Sequence, residues 1–529
     1  MSEKHDAVDL SHHLSDVART LEPRAQLGGG AKDGMIGMDG GIPDTEYFPI
    51  ESITVEYLKP SAFPLRPTDV LPHGPGVLAW LANVFTGKGS KTTEAPTGQF
   101  VIPRRLRADD ESKFELKSAL QYSPTTGIPA AETIIHDWVA RVHKPAYNNW
   151  ETLVDVGASS AWSSCLAILL NPGDSFITGT VLAVARARGM FPVAVATDID
   201  GLSAVDLERV LEGWDEASRG FKRPQVIYTQ GGIHNPTGLL ITAQRKKDIY
   251  DVAVRYDLVI VEDDPYYYQQ ASAPYSPSSA TRATKKQTDE EWLDGLVPSF
   301  LRFDYQGRVI RLDTFSKVSR LGYYTGSPQL LEKLEVWHQT YITFPSGLSQ
   351  AICGELLHRY KFEGFTRWLR GITAQYELRR NWTIDALHKA LDIRPKDSGS
   401  RALVAYVQTD GQMTEKSKTT SLMSFNPPDG GMFMWFNIHL HNHPRYKPLA
   451  RQTSPAAAKN KLSTELSAAI ADGGVLFRRG ELFAVEDDEE RARMGEEDVF
   501  LRASFSSGAK EDLEKGMQIF AEVLVRFFQ

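Results

Sequence analysis

Four short apolar runs, at residues 153–156, 226–229, 258–261 and 309–312, constrain the fold of this chain most. They are rich in β-branched residues, as strands buried on both faces of a parallel sheet are. Helical patterns lie between them, at 161–170 and 242–256. Asn171-Pro-Gly-Asp174 reads as a turn, and 175–178 as the start of a further strand. Strand–helix alternation of this kind predicts an α/β domain. Beyond about residue 330 the pattern is mainly helical. It closes with strand-like pieces at 431–438, 474–477 and 503–505 and an amphipathic helix. The expected organisation is an N-terminal arm (1–33) and a segment packing with the small domain and linker (34–105). A large domain (106–375) carries a mostly parallel sheet flanked by helices, and a smaller α+β domain (376–529) follows. Composition assigns 85–99, 270–290 and 410–428 to surface loops.

Bulk properties exclude several classes of function. The net charge is 59 − 67 = −8 and no long basic run occurs, so neither nucleic acid nor an anionic membrane is an expected partner. Two cysteines, Cys165 and Cys353, are too few for a disulfide framework and fit a reducing compartment. No apolar run reaches the roughly 18 residues of a membrane span. The first residues, Met-Ser-Glu-Lys-His-Asp, lack the apolar core of a secretory signal. The expected location is cytoplasmic.

Ligands of open α/β sheets bind beyond the carboxyl ends of the strands, and the unusual polar residues cluster there. Gly157-Ala-Ser-Ser160 follows the first run, and Asn235-Pro-Thr-Gly238 lies beyond the second. Glu262-Asp-Asp-Pro-Tyr266 follows the third, and Thr314-Phe-Ser-Lys317 the fourth. Each alone is an ordinary cap, turn or solvated charge. Their joint order fits one chemistry, that of pyridoxal phosphate. Lys317 supplies the amine that forms an imine with an aldehyde cofactor and then shuttles a proton. Asp263 supplies a carboxylate beside the pyridine nitrogen. Asn235 and Tyr266 supply donors to the ring hydroxyl. Ser159, Thr314, Ser316 and Arg320 supply a phosphate cup of hydroxyls, helix amides and a guanidinium. Arg502, in Leu501-Arg-Ala-Ser-Phe-Ser506, is the candidate for the substrate carboxylate; on its own, a surface ion pair is the simpler account of it. No metal is called for.

From about residue 34 to its end the chain resembles the fold-type I, class I/II aminotransferases. The likeness is to the branch holding fungal aromatic and kynurenine/2-aminoadipate aminotransferases. It rests on Met38-Asp-Gly-Gly-Ile-Pro43 with Tyr47-Phe-Pro49, and on Leu120-Gln-Tyr-Ser-Pro124 with Gly127-Ile-Pro129. Asn235-Pro-Thr-Gly238, Glu262-Asp-Asp-Pro-Tyr-Tyr267, Asp313-Thr-Phe-Ser-Lys317, Gly430-Gly-Met-Phe433 and Leu501-Arg-Ala-Ser-Phe-Ser506 complete the set. The resemblance implies a homodimer with active sites at the interface, where Tyr122 reaches the phosphate held by the neighbouring subunit. It implies that Gly40 and Gly41 line the substrate pocket, that Lys317 carries the cofactor and that Arg502 binds the α-carboxylate. The implied reaction is ping-pong: an aromatic or related amino acid leaves its amine on the cofactor and a 2-oxo acid collects it.

Four departures from the family pattern fall at the cofactor. Lys317 and Arg320 are only three residues apart, short by roughly a helical turn. After Phe176 no aromatic occurs until Phe191, so the ring that stacks on the pyridine is missing. Ala158 stands where a small polar residue is usual. Gln230-Gly-Gly-Ile-His234 replaces a Pro- and Gly-containing approach to the asparagine. The second reading is therefore a catalytically impaired homologue with a damaged cofactor site. A lyase or decarboxylase on the same fold also stays open. A transcription regulator does not, because residues 1–30 leave no room for a helix-turn-helix domain.

Overall fold

Two sheets organise the chain, one mostly parallel and one antiparallel. The computed structural model describes residues 4–23, 41–65, 97–179, 183–277, 287–315, 321–407, 420–483 and 499–529. An antiparallel pair, β1 (Ser52–Leu58) and β2 (Thr97–Pro103), precedes them. The large sheet contains β3 (Glu151–Asp155), β4 (Ser175–Thr178), β5 (Phe191–Ala194), β6 (Val226–Thr229), β7 (Val259–Asp263), β8 (Val309–Thr314) and β9 (Gly322–Gly326). Their spatial order is β3-β9-β8-β7-β6-β4-β5. The strands from β4 to β8 run parallel to their neighbours, and β9 pairs antiparallel with both β8 and β3.

Side-chain alternation assigns each strand residue to one face of this sheet. Val226, Tyr228, Val259, Val261, Ile310 and Leu312 pack against helices α1 (Ala158–Leu169) and, further on, the helix at Pro328–Tyr341. Ile227, Ile260 and Val309 pack on the opposite face against α2 (Ala243–Arg255). Both faces are therefore buried, which is why these strands carry continuous apolar runs. The helices are α3 for Pro328–Tyr341 and α4 for Gly347–Ala390. Helix α4 is broken at Lys361, where φ is 53°. Its early residue Ala351 joins one core cluster, Cys353 and Leu369 join another, and its end, Ile384 and Leu387, packs into the second sheet's core.

The second sheet contains β10 (Asp392–Pro395), β11 (Leu403–Tyr406), β12 (Ser421–Phe425), β13 (Phe433–Ile438), β14 (Arg478–Arg479) and β15 (Val499–Ser504). The order is β10-β11-β12-β13-β15-β14, all antiparallel. Helices α5 (Pro455–Asp472) and α6 (Lys510–Phe528) cover it with Leu462, Leu466, Phe520 and Leu524. Of the expected loops, residues 97–99 open β2 and residues 289–290 begin a short helix, and two further sequence expectations need correction here. Residues 421–425 were expected in a loop and form β12, because Leu422, Met423 and Phe425 enter the core. The piece expected at 474–477 is not a strand; the pairing residues are Arg478 and Arg479. Among the described residues no helix is long and apolar enough to cross a membrane.

One charged side chain sits at the centre of the large sheet. Arg311 on β8 is fully buried. It donates two hydrogen bonds to Asp313 (2.7 and 2.8 Å) and lies 3.1 Å from Glu262 and 3.5 Å from Asp264. Lys246 of α2, also fully buried, lies 3.4 Å from Glu262 and donates to the Pro298 carbonyl at 2.6 Å. Removing one member of such a cluster strands the others without a counter-charge. Arg311→Met is therefore expected to lower the free energy of unfolding by about 3–5 kcal/mol, read from urea denaturation; a loss under about 1 kcal/mol would contradict this account of the sheet centre.

Candidate active site

Alternation along β7 separates three consecutive acids. Asp263 shares the face of Val259 and Val261, while Glu262 and Asp264 fall on the opposite face with Arg311 and Lys246. Asp263 thus ends its strand above α1, and the Tyr228 hydroxyl donates to its Oδ2 at 2.6 Å. Tyr228 is 2% exposed, with its ring 4.5 Å from that of Trp162 on α1. Burial, and then the neighbouring Asp263 charge, push its phenol well above the ordinary value, so it stays a donor.

The loop from β6 to the Asn-Pro-Thr-Gly turn crosses the buried charges. A Cβ on Gly231 would stand 2.0 Å from Glu262 Oε1, and one on Gly232 would stand 2.3 Å from Asp264 Oδ1. Only glycine fits at either place. Three carboxylates, Glu262, Asp264 and Asp313, face two cations there. One proton resolves the imbalance. Burial pushes Asp264 up to about 7, and Glu262 and Asp313 add to the rise against the opposing pull of Arg311 and Lys246. Burial also raises Glu262, but Arg311 and Lys246 outweigh it and its net shift is downward.

Beyond the glycines, Asn235 receives its backbone hydrogen bond from this same loop: its N–H donates to Gln230 Oε1. Its side-chain Oδ1 accepts from Arg502 Nη1 at 2.7 Å, across 267 residues of sequence. Arg502 lies on β15 of the second sheet, so this bond joins the two sheets. Its guanidinium carbon stands 4.1 Å from the Phe433 ring centre and 4.5 Å from that of Phe483. Among the described residues no carboxylate pairs with it. Burial pulls its pKa down and the nearby Tyr266 opposes this; it remains a cation. Tyr266 is buried, edge-on to Phe433, and its phenol is pushed up to about 12, first by burial and then by Asp263.

The structure thus brings Asn235, Asp263, Tyr266 and Arg502 into one crevice at the strand ends. Ser159 lies in the first turn of α1. Thr314 ends β8, and its hydroxyl donates to the Leu321 carbonyl at 3.3 Å. Phe315 N–H donates to the same carbonyl at 2.7 Å, so Thr314 and Phe315 are both held to Leu321. Gly40, Ser316, Lys317 and Arg320 lie outside the described residues. Gly41 has no atom within 4 Å of where a Cβ would stand. Tyr122 is 47% exposed, its ring 4.9 Å from Phe344, and it faces solvent in the single chain. Phe176 packs into the core against Trp162 (5.5 Å) and is not a ring facing the crevice.

Sequence reading missed Tyr228, Phe433 and Phe483 as members of the site. A hydroxyl on a strand buried on both faces requires a partner, and that signal was present in the Val226–Thr229 run.

These donors suit a phosphorylated pyridine. Helix α1 opens at Gly157 with no side-chain cap, and nothing lies within 4 Å of a Cβ built there. No side-chain acceptor thus caps the first-turn amides, the kind of donors that hold an anion. Asp263 adds a carboxylate for a protonated ring nitrogen, and Arg502 adds a guanidinium for a carboxylate.

Comparison with known proteins agrees. The family model for aminotransferase class I and II matches residues 94–519. An L-tyrosine:2-oxoglutarate aminotransferase of Tapinella panuoides is 29% identical, over 98% of this chain and 96% of that one. An aminotransferase (swnA) of Arthroderma benhamiae is 32% identical over 83% and 81%. The crystal structure of aminotransferase Aro8 from Candida albicans superposes with a TM-score of 0.81 at 28% identity, covering 99% of this chain and 100% of that one.

The raised Asp264 sets a pH dependence. Its ionised form is penalised in the folded protein relative to the unfolded chain. That contribution to stability is therefore complete below the ordinary carboxylate pKa and declines as pH rises through 7. Asp264→Asn removes the penalty. The unfolding free energy of the variant relative to the parent should grow by about 2 kcal/mol between pH 5 and pH 8, and a flat difference across that range would refute the assignment.

Proposed function

Because this chain belongs to the aminotransferase class I and II family, we propose that it moves the amino group of an aromatic or related amino acid to a 2-oxo acid, with pyridoxal 5'-phosphate as cofactor and by a ping-pong sequence. The observation that carries this reading is Arg502: a half-buried guanidinium with an amide oxygen and two aromatic rings as partners and no carboxylate among the described residues. An amino acid and its 2-oxo acid share the carboxylate such a group selects. Aromatic preference draws support from Phe433 and Phe483 beside it and from the tyrosine aminotransferase relative.

Bound in the crevice, pyridoxal phosphate supplies a carbonyl that captures amines reversibly and a ring that withdraws electrons. The chain's own groups do the rest. Asp263, fixed by Tyr228, holds a proton at the pyridine nitrogen. Asn235 and Tyr266 offer hydrogen bonds toward the ring hydroxyl. Ser159, Thr314, Ser316 and Arg320, with the α1 amides, hold the phosphate. Lys317 attaches the cofactor and moves the proton at the substrate carbon. Asn235 holds Arg502 in plane, and Arg502 with Gly40 and Gly41 seats the substrate. We place the domain boundaries near residues 33, 105 and 375. We also propose a homodimer whose contact covers the exposed Tyr122 and completes the partner's phosphate site. A cytoplasmic location fits this reading.

Protein supplied with pyridoxal phosphate is expected to absorb near the visible edge, and borohydride should then fix the cofactor mass to the peptide carrying Lys317. Lys317→Ala should lose both signals and keep its melting temperature. Colourless wild-type protein that transfers no amine from any donor, to 2-oxoglutarate or phenylpyruvate, would instead support the impaired-homologue reading. Arg502→Lys should keep the absorbance and raise the amino-acid KM about ten-fold or more, the loss of a bidentate contact.

A further inference from the structure

The second sheet sets two arginines side by side. Arg478 on β14 pairs directly with Arg502 on β15. Residues opposite one another in an antiparallel pair project to the same face, with Cβ atoms about 5 Å apart. Here that face is the one turned away from the core, because the next pair, Arg479 and Leu501, takes the other. Leu501 is buried in the core, and Arg479 reaches Thr464 of the covering helix α5 at 3.3 Å. On the far side of Arg502 stands Trp435, its partner on β13. A row of Trp435, Arg502 and Arg478 thus crosses three strands.

Like charges set opposite one another destabilise a sheet. Among the described residues no carboxylate offsets this pair, whereas Arg479, one position along, has Glu481 at 2.9 Å. Burial pulls the Arg502 pKa down, Tyr266 opposes it, and the Arg478 charge adds to the fall. Aromatic rings hold Arg502 in place: Phe433 and Phe483 lie 4.1 and 4.5 Å from its guanidinium carbon, and Phe483 meets Trp435 edge-on at 5.8 Å. Asn235 takes a hydrogen bond from one guanidinium nitrogen, which leaves donors for one carboxylate. Arg478 is exposed, and its own donors are left for a second anionic group. A solitary exposed arginine is ordinary; one set against another cation that lacks a carboxylate is a place for a doubly charged ligand.

We propose, resting on the transaminase reading, that Arg478 is a specificity-determining residue: with Arg502 it selects 2-oxo acids that carry a second carboxylate over those that end in an apolar group. The transaminase reading supplies the first carboxylate, at Arg502. Neighbouring strands lie about 4.8 Å apart, a gap that the two or three carbons between the carboxylates of a short diacid can span. Phe433 and Phe483 offer apolar contact to an aromatic side chain beside the same arginine. One crevice therefore serves an aromatic donor and a dicarboxylic acceptor in successive halves of the cycle, and Arg478 acts in the second.

The test compares two acceptors, 2-oxoglutarate and phenylpyruvate, in the full-length protein loaded with pyridoxal phosphate and supplied with tyrosine as donor. The ratio of their kcat/KM values should exceed unity in the wild type. Arg478→Gln should lower that ratio about ten-fold, through the KM for 2-oxoglutarate rather than through kcat. Arg478→Lys keeps the charge without the fork and should recover part of the loss. Arg479→Gln, on the core face, should keep the wild-type ratio. Raising the ionic strength to about 1 M should lower the wild-type ratio and leave that of Arg478→Gln nearly flat; the wild-type arm serves even if no variant folds. A ratio unchanged in Arg478→Gln, or lowered equally by Arg479→Gln, or insensitive to salt in the wild type, overturns the role of Arg478 and leaves the transaminase reading standing. Wild-type protein that transfers amine to neither acceptor overturns both.

Discussion

The buried guanidinium of Arg311 is the interaction on which the site depends. It stands in a β-strand interior, where an isolated charge would be prohibitively costly. It is tolerated because three carboxylates surround it, one of which, Glu262, it shares with Lys246. Two of those carboxylates, Glu262 and Asp264, flank Asp263, the last residue of the neighbouring strand, and the third, Asp313, stands one residue before the end of its own strand. The cluster thereby fixes the carboxyl ends of β7 and β8 in register. Those ends present Asp263 and Thr314 to the crevice. The polar functional face is held in place by a second polar layer on the opposite side of the sheet.

Site assembly is non-local. Asp263 and Asn235 come from the large sheet, Arg502 from the second sheet, and Phe433 from the strand paired with that of Arg502. Helix α4 contributes to the cores on both sides. A carboxylate bound at Arg502, as proposed, would therefore contact a group hydrogen-bonded to a residue outside its own sheet. Such long-range placement is what a packed α/β core supplies and what a loop-borne site would lack.

Much of this was legible in the sequence. The large-sheet strands declared themselves because burial on both faces forces unbroken apolar runs, and the polar residues at their ends could then be assigned to one crevice. The second sheet was less legible. Its strands are half-polar, and β12 follows a stretch so rich in Ser, Thr and Lys that composition hid Leu422, Met423 and Phe425. Arg311 passed unremarked within the 309–312 run, because a charge inside an apolar run gives no sign of its burial. Arg502 read as a surface ion pair until family resemblance intervened, since its partner Asn235 is 267 positions away. Gln230 registered only as a departure; its hydrogen bond with the Asn235 backbone exists only after the loop folds back on the strand end.

The bond between Asn235 and Arg502 has a mechanical consequence. It fastens one sheet to the other at the floor of the cleft, so a rigid-body rotation that parts the two must lengthen it. Only one guanidinium nitrogen is engaged in it, so a carboxylate bound as proposed would use the remaining N–H donors and leave the tie in place. One side chain thus bears on how firmly the two sheets are held together, and Asn235→Ala would leave that point of the cleft without its tie.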